Sequence, residues 1–82
     1  MEQEKFLCVY WLSRNKSYFI EVTDDFWYSY RSHCDGNGSI FTRMNGPISL
    51  VEKIKVENND IIKNIVNSYF MKYGTEKVIY KN

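Results

Sequence analysis

Cysteine is scarce in this sequence, long apolar stretches are missing, and charge of one sign is not in surplus. The two cysteines, Cys8 and Cys34, form neither a metal-ligand pattern nor a disulfide framework, so both are expected as buried or half-buried thiols. No apolar run reaches the ~18 residues of a membrane span, and the charged residues at 1–5 are unlike a signal peptide. These absences predict a soluble, intracellular protein without a membrane partner.

The balance of charge excludes one broad class of interaction. The chain has 11 Lys and Arg residues against 10 Asp and Glu residues, which leaves a net charge of +1. A general nucleic-acid binder has a strongly basic balance instead. Binding to nucleic acid would therefore require local clustering of cations.

Aromatic residues are abundant, at 17% of the 82 positions. Each buried ring removes about 150–250 Å² from water, so these side chains supply much of the burial that so short a chain needs. No linker, internal repeat or low-complexity segment divides the sequence. We therefore expect a single domain over 1–82 with one aromatic-rich core.

The first third of the chain has the pattern of a hairpin followed by a helix. Two aromatic-rich apolar runs at 6–12 and 17–23 predict strands, and the polar residues 13–16 between them predict a tight turn. The acidic pair that follows offers capping oxygens, which favours a helix from about 24 to 34.

A loop and a third strand are expected next. Glycines end the first helix, and residues 39–47, which close with a Gly-Pro turn signal, are expected as a loop. Residues 48–56 alternate in the manner of a strand, with Leu50 and Glu52 predicted on the same side.

The last third of the chain predicts a second helix and a short tail. Residues 57–60 cap a helix whose apolar stripe is expected in the core, and Gly74 is expected to end it. The tail at 75–82 forms either a short edge strand or an extended arm. The order β-β-α-β-α predicts an α+β fold, in which two helices cover a small three-stranded, mainly antiparallel sheet.

Several of these segments resemble a known family. The matching features are Tyr10 in the first strand, Ile20 in the second and, over 33–52, a histidine, a glycine-rich turn, an aromatic-Thr-Arg triplet, Gly-Pro and Leu-Val. Together they are similar to small single-domain members of the GIY-YIG nuclease superfamily, and residues 71–74 resemble members from large DNA viruses and phages. The resemblance covers 6–78 and implies a viral or phage accessory protein.

The resemblance also implies which positions would carry chemistry. Family members cut DNA with one divalent metal, usually magnesium, held by a glutamate, while motif tyrosines act on the attacking water and an arginine steadies the phosphate. This chain keeps the first tyrosine as Tyr10 and an accessory histidine as His33. The other positions fall on Phe19 for the second tyrosine, Glu21 for a glycine, Ser29 for the arginine, and Ile65 or its neighbour Val66 for the glutamate.

These replacements remove groups that the family reaction needs. Phe19 has no hydroxyl, and the carboxylate of Glu21 would face a phosphate. Arg31 lies about 200° around the helix from Ser29 and cannot take its place. No carboxylate occurs between residues 60 and 76 to ligate a hard cation. The sequence therefore predicts a non-catalytic descendant without a metal cofactor.

Aromatic and cationic side chains outside the expected core favour a binding function. The candidates are Lys16, Tyr18, Trp27, Tyr28, Arg31 and Arg43. They are expected either to anchor a protein partner or to stack on the bases of a nucleic acid. The sequence leaves the oligomeric state open.

Two alternatives belong to other functional classes. One is an active endonuclease that uses Tyr10, His33, Arg43 and Glu21 with Mg²⁺ or Mn²⁺. The other is a small structural subunit of a larger assembly. Tyr10 and His33 also have ordinary structural interpretations, as a strand tyrosine at the sheet edge and a helix-end histidine bonded to a carbonyl or to solvent.

Overall fold

The computed structural model describes residues 4–81 of the chain. These residues form four strands and three helices, in the order β1 (Phe6–Leu12), β2 (Ser17–Thr23), α1 (Phe26–Cys34), α2 (Ile40–Asn45), β3 (Ile48–Lys55), α3 (Asn59–Tyr73) and β4 (Val78–Lys81). The predicted hairpin and the two longer helices are confirmed, and the fold belongs to the predicted α+β class.

The four strands form one mixed sheet in the order β3-β1-β2-β4. β1 is antiparallel to both of its neighbours, with Val9 opposite Ile20 and Tyr10 opposite Phe19 in β2, whereas β4 runs parallel to β2. Because β1 is central and covered on both faces, its sequence is apolar almost throughout. The hairpin strands therefore form the centre of the molecule.

Successive residues of a strand point to opposite faces, so the sheet carries two clusters of buried side chains. The face that α3 covers holds Leu7, Val9, Ile20, Val66 and Val78. The opposite face, towards α1 and α2, holds Cys8, Tyr10, Leu12, Phe19 and Phe26. The fold is thus a three-layer arrangement, and the two layers of helices give the two faces of the sheet different surroundings.

The prediction of a loop over 39–47 is wrong, because this segment contains α2. Ser39 begins the helix with a capping box: its hydroxyl accepts a hydrogen bond from the Thr42 N–H at 3.1 Å, and the Thr42 hydroxyl accepts one from the Ser39 N–H at 3.3 Å. This reciprocal pair satisfies two backbone donors that the start of a helix leaves without partners. A helix of only 6 residues is too short to show the periodicity by which helices are predicted.

The predicted numbers of three strands and two helices are wrong, since the described residues form four strands and three helices. The sheet is mainly antiparallel as predicted, and the pairing of β2 with β4 is its parallel one. Of the two alternatives for the tail, the edge strand forms. Val78 lies opposite Tyr18, and the Tyr18 N–H donates to the Lys77 carbonyl at 2.7 Å. Val78 is only 3% exposed, so the strand is held by apolar burial beneath α3 as well as by its hydrogen bonds.

The predicted alternation along the third strand is wrong at its centre. Val9 of β1 lies opposite Glu52, but the next residue, Tyr10, lies opposite Leu50, so Val51 is an extra residue in β3. Such a bulge exchanges the faces of the residues on either side of it. Glu52 therefore shares the α3 face with Val9, whereas Leu50 shares the opposite face with Tyr10.

The two longer helices begin and end with the expected chemistry. Asp25 caps α1 by accepting from the Tyr28 N–H at 3.1 Å, and Asn58 caps α3 by accepting from the Ile61 N–H at 3.1 Å. Gly74 follows α3 with a φ of +89°, a conformation that glycine adopts without strain. Among residues 4–81, no helix combines the length and the apolar character that crossing a bilayer requires.

Candidate functional site

Four polar side chains meet in the layer between the sheet and the helices α1 and α2. They are Tyr10 of β1, Glu21 of β2, His33 of α1 and Thr42 of α2, and we call them the buried polar cluster. Tyr10 and Glu21 point to this face because each alternates with residues of the α3-side core. His33 follows Phe26 and Tyr30 on the inner side of α1. Each element thus contributes one side chain.

A chain of hydrogen bonds joins the cluster. Oε1 of Glu21 lies 3.1 Å from Nε2 of His33 and accepts a longer bond, at 3.5 Å, from the Tyr10 hydroxyl. The other ring nitrogen, Nδ1 of His33, lies 3.0 Å from Oγ1 of Thr42. Tyr10 and His33 therefore both contact the same carboxylate oxygen of Glu21.

Thr42 ties His33 to the start of α2. Oγ1 of Thr42 lies 3.1 Å from the Ser39 carbonyl oxygen, 3.1 Å from the Ser39 hydroxyl and 3.0 Å from Nδ1 of His33. Because a hydroxyl carries a single hydrogen, Thr42 donates to only one of these three neighbours at a time. The His33 ring is thus held between Thr42 on one side and Glu21 on the other.

Gly38 provides the space that His33 occupies. A Cβ atom at this position would lie 2.2 Å from Nδ1 of His33, well inside van der Waals contact. Only a residue without a side chain allows the ring to reach Thr42. The glycine-rich turn therefore positions the histidine through close approach.

The cluster is largely buried, although His33 and Thr42 also line the cleft at the end of α1. Tyr10 and Thr42 are 0% and 2% exposed, and Glu21 and His33 are 9% and 6% exposed. Burial, followed by the neighbouring Cys8 and Glu21, raises the pKa of Tyr10 well above its ordinary value of 10.0. Tyr10 is thus held as a neutral hydrogen-bond donor. A general base near neutral pH needs a lowered pKa so that it can accept a proton, and the pKa of Tyr10 is raised.

The residues present do not fit the divalent metal that the family resemblance implies. Ile65 packs with the α3-side core and Val66 is buried in it, so the sheet separates both positions from Tyr10 and His33. The Oε1 atom of Glu21 is already bonded to His33 and Tyr10. Within residues 4–81, no three His, Cys, Asp or Glu side chains are grouped so as to hold a metal ion.

Phe19 and Ser29, which stand where the resemblance expects a tyrosine and an arginine, make structural contacts. Phe19 stacks on Phe41 with ring centroids 6.1 Å apart and meets the edge of His33 at 5.6 Å. The Ser29 hydroxyl lies 2.8 Å from the Thr23 hydroxyl, just before α1. These side chains bind the layers together and do not open towards a substrate.

The six binding candidates are not brought to one surface. Tyr18 lies on the α3 face, where its ring centroid is 5.0 Å from Trp11 and 4.4 Å from Tyr73. Lys16 is exposed in the hairpin turn with a φ of +51°. Arg43 is exposed on α2, and its aliphatic stem runs beside Gly36.

Arg43 borders a cleft of about 300 Å³ between the end of α1 and the start of β3. Cys34, His33 and Pro47 line the same cleft. Cys34 is exposed, so the expectation of two buried or half-buried thiols is wrong for this residue. Cys8 is buried as expected, and burial raises its pKa from 9.0 to about 11.

Three of the six candidates do share one surface. Trp27 and Tyr28 are each 72% exposed, and Arg31 is exposed one turn further along the same helix. Asp24 is also exposed but lies before the helix and its cap, Asp25. We call Trp27, Tyr28 and Arg31 the α1 outer face.

The sequence interpretation missed three residues of the site. Ser39 and Thr42 were expected in a loop and Gly38 in the turn that ends the first helix. Gly38 and Thr42 counted only as motif residues of the resemblance, yet all three residues orient His33. The spacing of Ser39 and Thr42, three residues apart, is the signal that could have identified the capping box.

Comparison of the chain with protein-family models, with curated proteins and with solved structures finds no match.

Proposed function

We propose that this chain is a non-catalytic, GIY-YIG-like binding module whose partner is a protein and whose binding surface is the α1 outer face. One observation carries the proposal. The side chains at family positions that could act on a phosphodiester, namely Tyr10, Glu21 and His33, are bonded to one another in the interior. A hydrolytic site needs these groups to reach water and a scissile phosphate.

The exposed aromatic residues support binding in place of catalysis. Exposing two large rings on one short helix is costly to a protein unless a partner covers them. Trp, Tyr and Arg are the residue types enriched at the energetically dominant positions of protein interfaces. Trp27, Tyr28 and Arg31 supply all three types on the α1 outer face.

The charges around α1 favour a protein over a nucleic acid. Asp24, Asp25 and Asp35 are exposed at the two ends of this helix, and the cations near it are Arg31 on the helix, Lys53 over the Phe26 ring at 4.4 Å and Arg43 on the cleft at its end. A nucleic-acid surface gains most of its affinity from cations that neutralise phosphates, and these balanced charges give the helix no cationic excess. A protein partner carries no such requirement.

Incubation with supercoiled plasmid, single-stranded DNA and single-stranded RNA tests the proposal directly. Reactions contain Mg²⁺, Mn²⁺ or chelator, and both cleavage and gel retardation are measured. We expect neither signal under any condition. Metal-dependent nicking that Tyr10→Phe abolishes would instead establish the endonuclease alternative, and retardation lost in Trp27→Ala/Tyr28→Ala would identify a nucleic-acid partner.

Site-specific photocrosslinking tests whether the α1 outer face contacts a protein. A photoreactive phenylalanine analogue replaces Tyr28 in one variant and Met71 in another, since Met71 is 88% exposed but lies on α3. In cells that express the chain, we expect crosslinks to protein from position 28 that Trp27→Ala reduces. Equal crosslinking from both positions would count against the α1 outer face.

A further inference from the structure

We propose that the cleft between β3 and the second half of α3 binds a methylated ammonium group, which lies against the rings of Tyr69 and Tyr73 and beside the carboxylate of Glu52. The inference does not depend on the proposed function, because this cleft lies on the α3 side of the sheet and the α1 outer face lies on the other side. It rests on the position of one carboxylate beside two tyrosine rings.

The cleft has the size of a small headgroup. Its volume is about 230 Å³, and its lining consists of Glu52 from β3 with Ser68, Tyr69, Lys72 and Tyr73 from α3. The residues from α3 are one helical turn apart in two pairs, so they share one side of the helix. Pockets for drug-sized ligands occupy ~300–1,000 Å³, and this smaller cleft therefore admits a headgroup and excludes a larger molecule.

The carboxylate reaches the cleft because of the bulge in β3. The extra residue Val51 allows Glu52 to face α3, although Leu50 faces the opposite side of the sheet. Oε1 of Glu52 accepts a hydrogen bond from the Tyr69 hydroxyl at 2.8 Å. Among residues 4–81 the ion pairs are His33 with Glu21 and Lys55 with Glu4, so Glu52 takes part in neither. Its negative charge is available to a bound cation.

Two tyrosine rings stand beside this carboxylate in fixed positions. The ring centroids of Tyr69 and Tyr73 are 5.7 Å apart, and Tyr18 of β2 packs against both, at 5.3 Å and 4.4 Å. Tyr73 is 37% exposed, so part of its ring faces the cleft and solvent. The face of such a ring attracts cations through its quadrupole. The cleft thus combines aromatic faces with one negative charge.

A cation of the chain itself already lies on one of these rings. Nζ of Lys72 is 5.4 Å from the centroid of Tyr73, which is within the ~6 Å range of a cation–π contact. Lys72 is exposed and has a flexible four-carbon stem, so it can move aside when a ligand enters. Lys72 therefore shows that the ring accepts a cation, and it competes with the ligand.

The chemistry of the cleft selects a methylated cation over an ordinary ammonium. A primary ammonium is compact and strongly hydrated, so it loses much hydration when it moves between two rings. Methyl groups replace that hydration with apolar contact to the ring faces, and quaternary ammonium groups are the ligands typical of aromatic sites. The carboxylate of Glu52 then supplies the attraction that a neutral ligand of the same shape would not gain.

An NMR titration of the purified chain with choline tests the inference. At constant ionic strength, we expect saturable shifts of the backbone amides at 52 and 68–73, with a dissociation constant on the order of 1 mM. The neutral analogue of choline, in which carbon replaces nitrogen, has the same shape without the charge and should bind at least about fivefold more weakly. Methylguanidinium, a planar cation, should also bind more weakly than choline.

Three variants alter the cleft in different directions. Glu52→Gln keeps an acceptor for the Tyr69 hydroxyl but removes the charge, and it should raise the dissociation constant about fivefold. Tyr73→Leu removes one ring face and should raise it about three- to fivefold. Lys72→Gln removes the competing cation and should lower it about two- to threefold, an effect that general damage to the fold would not produce.

Matched controls separate the cleft from the rest of the surface. Glu57→Gln and Tyr28→Leu make the same kinds of change at an exposed acid and an exposed ring outside the cleft, and both should leave choline binding unchanged. Circular dichroism checks that each variant retains its helices. An acetylated trimethyl-lysine amide, titrated in parallel, tests whether a modified side chain or a free small molecule is the better source of the headgroup, and tighter binding of either one supports the site.

Four results would overturn the inference. They are the absence of saturable shifts up to about 50 mM choline, equal binding of choline and its neutral analogue, tighter binding of methylguanidinium than of choline, and unchanged choline affinity in both Glu52→Gln and Tyr73→Leu. None of these results bears on crosslinking from position 28, so failure of this site and failure of the proposed function remain distinguishable.

Discussion

At the scale of single residues, a chemically capable set of side chains forms internal structure. Nδ1 of His33 is hydrogen-bonded to Thr42 and Nε2 to Glu21, so both ring nitrogens have partners. An imidazole that acts as an acid or base must offer one nitrogen to a substrate. Here a substrate could engage His33 only by breaking a buried bond, and the ring contributes to the fold instead.

Gly38→Ala tests this structural role of His33. The added Cβ would lie 2.2 Å from Nδ1, so the ring must move and the bonds to Thr42 and Glu21 must weaken. Buried polar groups left without partners cost about 1–3 kcal/mol each. We expect urea unfolding to report a loss of stability in this range.

A double-mutant cycle distinguishes the clash from a general effect of the substitution. In a His33→Ala background there is no ring for the new methyl group to meet, so adding Gly38→Ala should cost little further stability. The two substitutions should therefore be strongly non-additive. Additive losses would mean that Gly38 is needed for its backbone conformation and does not act through His33.

At the scale of elements, the sequence predicted the features that depend on residues close together in the chain. It did not predict the features that depend on pairing between distant strands. The hairpin, the caps of α1 and α3 and the stop at Gly74 follow from local chemistry, and all were predicted. β4 depends on parallel pairing with β2, far away in the chain, and the bulge in β3 depends on the register of β1. Local alternation records neither of these relationships.

The candidate site was predictable to a similar extent. Tyr10, Glu21 and His33 were each singled out, but Glu21 was expected to face a phosphate and instead faces His33 across two layers. The partner of a buried carboxylate depends on how layers stack, and spacing along the chain does not contain that information. The exposure of Trp27 and Tyr28 was easier to anticipate, because so small a core cannot enclose every ring.

The short helix α2 gives a prediction at this scale. Ser39→Ala removes the hydroxyl that accepts from the Thr42 N–H, and such capping substitutions cost about 1 kcal/mol. Thermal or urea unfolding should show this loss. Ser68→Ala, the same substitution at an exposed site inside α3, is the matched control and should be neutral or slightly stabilising because alanine favours helices. Equal effects of the two substitutions would contradict the capping role.

At the scale of the whole molecule, the three-layer arrangement buries ionisable groups that remain neutral in the fold. Burial raises the pKa of Tyr10 and of Cys8, and burial together with its bond to Glu52 raises the pKa of Tyr69. Tyr10 and Cys8 lie on the face of the sheet towards α1, whereas Tyr69 lies on the α3 face. Alkaline pH therefore acts on both sides of the sheet together.

The direction of the pH effect follows from where the protons are held. Above about pH 10, a tyrosine of the unfolded chain loses its proton, whereas Tyr10 of the folded chain keeps it. The unfolded state then binds fewer protons, so the free energy of unfolding falls as pH rises, by at most about 1.4 kcal/mol per pH unit from this residue. Cys8 also lowers the free energy of unfolding as pH rises, between its unfolded pKa of 9.0 and its folded pKa of about 11.

We therefore expect stability to fall steeply above about pH 9 to 10, the window in which Cys8 and then Tyr10 begin to titrate in the unfolded chain. Urea unfolding at a series of pH values from about 7 to about 11, which brackets these transitions, measures the slope. Tyr10→Phe removes one ionisable group and should flatten the decline above about pH 10 while lowering stability at neutral pH through the lost bond to Glu21. An unaltered slope in Tyr10→Phe would show that Tyr10 ionises in the folded chain as readily as in the unfolded one, and would contradict the burial of its hydroxyl.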